Sequence, residues 1–157
     1  MKSGEITRLI IRLIIGALLM FLAQPWLYQA RVIRITDVPN VKDWVSSYYT
    51  IEAAIVFGVS VFSVLFWCLS AIKSKASGGG ELRTWRSIWY VLLFLNILSI
   101  FIAIYFKKGS SDAVLSSASF FFLDVVWIFW IGTAVSSPNL FTYLPLGAKK
   151  LREIVGD

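Results

Sequence analysis

A single acid, Asp124, stands in the middle of FFFLDVVWIFWIG, inside an apolar stretch that runs from Val114 to Val135. An ionised carboxylate at bilayer depth costs at least ~2.5–3.5 kcal/mol on the insertion scale. A proton, a cation, a water-filled path or hydrogen-bond donors on a neighbouring helix must offset that cost. Asn96 lies near the middle of the preceding apolar stretch, at about the same depth. The short connection KKGSSDA sets the two stretches antiparallel. The spacing therefore predicts an amide hydrogen bond from Asn96 to Asp124. Trp127, three residues further on, shares the helical face of Asp124 and brings an indole N–H that needs an acceptor. Asp124, Asn96 and Trp127 are predicted to form one intramembrane polar cluster.

Phe120, Phe121, Ile128 and Ile131 crowd the same face, which leaves few polar groups for a wet path. Bonding between helices is the first reading of Asp124, contact with another subunit the second, and proton or cation transfer the third. Glu52, about one turn inside the second apolar stretch, is expected to reach solvent, with a buried secondary polar site as the alternative. The chain has no histidine, and its one cysteine, Cys68, lies in an apolar run. That argues against structural zinc, haem held by histidine, and imidazole or thiol acid–base chemistry. Ser116, Ser117 and Ser119 have no base beside them, and neither GxxxxGK[ST] nor GxGxxG occurs. No enzymatic activity, metal or cofactor is expected.

The elements that position these residues follow from composition. Hydrophobic residues make up 58% of the 157 residues and charged ones 15%. A soluble domain has about 45–50% and about 25%, so a membrane protein is indicated. Apolar runs long enough to cross a bilayer predict an all-α polytopic protein, a single domain over 1–157. Its four transmembrane helices lie at about 9–28, 48–72, 87–106 and 114–135, in an antiparallel bundle with short loops. The first run lacks an A-x-A-like cleavage site and ends on Pro25, Trp26 and Tyr28, so it reads as a retained helix with an interfacial anchor.

Between the first two helices, RVIRI has the alternation of a short strand and DVPNVKDW has turn chemistry. Trp44, Tyr48 and Tyr49 are expected among the headgroups. Lys73 to Arg86, with Gly78, Gly79 and Gly80, reads as a flexible linker. The tail, about 138–157, reads as an amphipathic foot, with Lys149, Lys150 and Arg152 toward lipid headgroups and Ala148, Leu151, Ile154 and Val155 on the other face. Arg8 and Arg12, one turn apart, are expected to snorkel to the same layer. Ala54 with Gly58, and Gly132 with Ser136, are small-xxx-small steps that favour close helix packing.

Ten of the 15 Lys and Arg fall on the side of the N-terminus, the middle loop and the tail, and five on the other. That predicts cytoplasmic termini, and the lack of an N-x-[ST] sequon fits a bacterial inner membrane. The net charge of +6 is spread over segments that flank apolar runs, so lipids rather than nucleic acid are the expected partners. The expected role is association: an accessory, anchoring or assembly subunit bound to other membrane-protein subunits, or a homo-oligomer. The alternative is a proton- or cation-conducting channel or transporter subunit that uses Asp124.

Overall fold

Inside a bilayer a helix pairs every backbone N–H and C=O within its own segment, so long apolar runs fold as spanning helices. The computed structural model describes residues 3–36, 38–74, 79–105, 111–137 and 141–155. Four helices are long and apolar enough to cross: α1 (Ile6–Gln29), α2 (Val41–Lys73), α3 (Gly79–Tyr105) and α4 (Asp112–Ser136). They form the all-α, four-helix membrane bundle that the sequence predicts. A short helix, α5 (Ala148–Val155), belongs to the tail. Phe62, Phe94, Phe101 and Leu115 point outward, as side chains facing lipid do.

Several expected boundaries move. α2 begins at Val41 because Asn40 caps it, its Oδ1 accepting from the backbone N–H of Lys42 (3.1 Å) and Asp43 (3.4 Å). Trp44 and Tyr49 are thereby drawn into the helix and buried rather than left among headgroups. α3 starts at Gly79, so most of the expected linker's second half is helical; residues 75–78 lie outside the described residues. RVIRI forms no strand. Instead α1 ends in a Schellman motif, with the Arg31 N–H bonded to the Tyr28 carbonyl (3.0 Å) and the Val32 N–H to that of Leu27 (3.0 Å). Arg31 takes the left-handed position of that motif, φ 57°, where glycine is the favoured residue.

Three spanning helices carry a π-helical turn: Leu19–Ala23 in α1, Val45–Tyr49 in α2 and Val126–Ile131 in α4. α1, α2 and α4 enclose a common aromatic core built on Tyr28, Tyr49 and Phe121. The Tyr28 and Tyr49 rings are 5.3 Å apart, and Tyr49 stacks on Phe121 at 5.4 Å. α3 lies along α2 and meets α4 where Trp89 stacks on Phe129 at 5.6 Å. Gly16 permits close approach of α1 to α4: a Cβ there would lie 2.7 Å from Ile128 Cγ1.

Candidate functional site

Asp124 is buried at the middle of α4, and its carboxylate faces α1. Gln24, five residues before the end of α1, donates from Nε2 to both carboxylate oxygens, at 3.0 and 2.9 Å. The other end of that amide accepts a hydrogen bond from the Tyr49 hydroxyl on α2. One acid, one amide and one phenol thus join three helices in a single donor chain, and Gln24 and Tyr49 are both buried. Each π turn adjoins a member of this triad. The first ends immediately before Gln24, the second ends on Tyr49, and the third begins two residues after Asp124. A π turn widens the helix by one residue and re-aims its neighbours, and such turns are frequent at functional sites.

Two further groups surround the triad. Tyr28 donates to Ser116 Oγ at 3.0 Å and packs edge-on against Trp44 (5.2 Å) and Phe120 (5.8 Å). Glu52 is buried, only 5% exposed, and within electrostatic reach of both Tyr28 and Tyr49. The expectation that Glu52 reaches solvent is corrected here. With α2 beginning at Val41, Glu52 lies about three turns inside the helix rather than one.

The expected cluster of Asp124, Asn96 and Trp127 is divided among different partners. Asn96 turns toward α2, accepting from Ser60 Oγ at 2.7 Å and donating to Ser63 Oγ at 3.0 Å and to the Leu92 carbonyl at 2.8 Å. Two hydroxyls one turn apart on α2 serve both ends of the amide, which a single carboxylate does not. The Trp127 indole donates to the Arg12 carbonyl at 3.3 Å. The π turn that starts at Val126 breaks the α-helical register on which an Asp124–Trp127 pairing depends.

The remaining site residues sort by end of the bundle. Gly132 is buried against Val64, and Ser136 accepts from Arg12 Nη1 at 3.2 Å, so both lie in the packing of the chain itself. Ala54 and Gly58 face outward, with no atom within 4 Å of a Cβ placed on Gly58. Arg8, Lys149 and Lys150 are exposed, consistent with a place at the headgroups. Arg152 does not join them. Its Nε and Nη2 donate to the carbonyls of Ala134 (3.1 Å) and Ser137 (2.7 Å), groups left without helical partners at the end of α4. The indoles of Trp67 and Trp89 add bonds to Ser137 (2.6 Å) and Thr133 (2.9 Å). The tail is therefore fastened to the bundle end, with Ala148 buried and Ile154 exposed.

Gln24 and Gly16 have no role in the sequence reading, and Tyr49 reads there as a headgroup residue rather than as core. Gln24 left a signal, as the lone amide in the first apolar run, one turn before Tyr28. The fold and its polar core define a small polytopic membrane protein with an internally bonded acid. No family model, curated protein or solved structure matches the chain.

Proposed function

We propose that this protein acts by association within the membrane, as an accessory, anchoring or assembly subunit or as a homo-oligomer. The observation that supports the reading is the outward placement of Ala54 and Gly58. Gly58 borders a groove of about 350 Å³ between α2 and α3, lined also by Ile55, Phe62, Leu95 and Leu98. Small residues let helix backbones approach closely, and lipid chains gain nothing comparable from them. The small residues that serve the chain's own packing, Gly16 and Gly132, lie elsewhere. The excess of Lys and Arg on the side of the termini supports a cytoplasmic location for both, and the lack of an N-x-[ST] sequon fits a bacterial inner membrane.

Gly58→Leu is expected to leave the monomer folded, because the site is open, and to weaken association roughly 5- to 150-fold. The dissociation curve of the complex in mild detergent measures this. An unchanged curve would remove the α2–α3 face from the proposal.

A second reading, proton or cation conduction through Asp124, is favoured by the burial of Glu52 near the same triad. It requires a pH-dependent flux in liposomes that Asp124→Asn abolishes. The association reading expects equal, background flux from wild type and variant.

A further inference from the structure

The groove between α2 and α3 faces lipid, yet two hydroxyls stand in its lining. Its walls are Ile55, Gly58 and Phe62 on α2 and Leu95, Leu98 and Ile102 on α3. These residues recur at steps of three or four, so the groove follows both helices for two turns, about 10 Å. Ser63 and Ser99 interrupt the apolar lining, and they are only 1% and 3% exposed.

Hydrogen-bond direction fixes what Ser63 offers. The Leu92 carbonyl can only accept, so the Asn96 group 2.8 Å from it is the NH2 end of the amide. That group spends its second hydrogen on Ser63 Oγ at 3.0 Å, and the carbonyl end takes the hydrogen of Ser60 at 2.7 Å. Ser63 is therefore an acceptor toward Asn96, and its own hydrogen points elsewhere. Ser116, which likewise accepts from another side chain, returns its hydrogen to the Ala113 carbonyl three residues back (3.2 Å). Ser99 does the same toward the Asn96 carbonyl (2.7 Å). Among the described residues, the Ser63 hydrogen has no such acceptor. A run of polarised bonds, Ser60 to Asn96 to Ser63, thus ends in a donor at the groove floor.

Depth limits what can satisfy that donor. Ser63 stands ten residues before Lys73, about 15 Å along α2, which is half the thickness of the hydrocarbon core. Water is absent there, phospholipid ester groups lie at the interface, and acyl chains carry no acceptor. A helix laid in the groove fits its length, approaches closely over Gly58, and can bring an acceptor to that depth.

We infer that the groove receives a transmembrane helix bearing a polar side chain, Ser, Thr, Asn or Gln, whose oxygen accepts from Ser63 at mid-bilayer, an inference that rests on association as proposed above.

The test uses the full chain, dye-labelled at its N-terminus, in phosphatidylcholine liposomes. The probe is a labelled host helix of Leu and Ala that carries one Asn at its midpoint, or Leu in that place. The peptide is kept too dilute to pair with itself, and energy transfer reads binding. Interhelical hydrogen bonds are modest, so wild type should bind the Asn peptide about 3- to 15-fold more tightly than the Leu peptide. Ser63→Ala should lose that preference. Ser60→Ala also takes one bond from Asn96 but keeps the groove donor, so its unfolding midpoint should fall similarly while the preference holds. Gly58→Leu should weaken binding of both peptides. Equal binding of the two peptides by wild type, loss of the preference in Ser60→Ala as well, or wild-type binding by Gly58→Leu would overturn the inference. Native-membrane particles that hold more than one chain would then leave association standing, whereas single-chain particles would remove both.

Discussion

Gln24→Leu is expected to be the most damaging single substitution in the polar core, ahead of Asp124→Leu, while Asp124→Asn stays close to wild type. The order follows from the bonding. Removing the Gln24 amide takes two donor contacts from the Asp124 carboxylate and the acceptor from the Tyr49 hydroxyl, all in one step. Each buried polar group left without a partner costs about 1–3 kcal/mol. Asp124→Leu leaves the Gln24 Nε2 group without its acceptor and keeps the Tyr49 bond, so its effect is smaller. Asp124→Asn retains a carbonyl oxygen for Gln24. Reversible unfolding in mixed micelles measures these differences, and a double-mutant cycle of Gln24→Leu with Asp124→Leu should return a coupling of about 1–2 kcal/mol. A Gln24→Leu variant as stable as wild type would mean that the triad does not hold α1 to α4.

The second large effect is expected at Gly16. A Cβ at this position would meet Ile128 Cγ1 at 2.7 Å and Cδ1 at 2.9 Å, and Ile128 is fully enclosed. Even Gly16→Ala must displace Ile128, and Gly16→Leu must push α1 away from α4. Overpacking of this kind costs about 1–3 kcal/mol. Gln24 lies about two turns further along the same helix, so the displacement also strains its bonds to Asp124. Losses from Gly16→Leu and Asp124→Leu should therefore fall short of adding. Gly58→Leu is the matched comparison: the same chemical change in open space, expected to spare monomer stability and affect association alone. Equal unfolding midpoints for Gly16→Leu and Gly58→Leu would contradict this account of α1 against α4.

The contrast between these two glycines shows what the sequence made legible. Four spans were readable because each needs only an uninterrupted apolar run, and those runs are unmistakable. The need of Asp124 for a partner was readable for the same reason. Its identity was not. The helices carry apolar residues on every side, so the 3.6-residue period that would aim Asn96 or Asp124 at a particular neighbour is faint. Both polar residues do find partners across helices, but Asn96 takes the serines of α2 and Asp124 takes Gln24. Tyr49 sat too near an apparent span end to read as core until the Asn40 cap carried α2 back to Val41. The π turns that aim Gln24, Tyr49 and Asp124 toward one another have no signature in hydropathy at all.

The polar core is bonded within the chain, whereas the small-residue groove on α2 and α3 faces out, and the proposal of association rests on that difference. The most direct measurement is the protein mass of particles excised from the native membrane together with their own lipid. These particles are expected to hold more protein than one 17.7 kDa chain, whether further copies or a different subunit, and Gly58→Leu is expected to shift them toward the single chain. Wild-type particles that each contain one 17.7 kDa chain and nothing more would contradict the proposal.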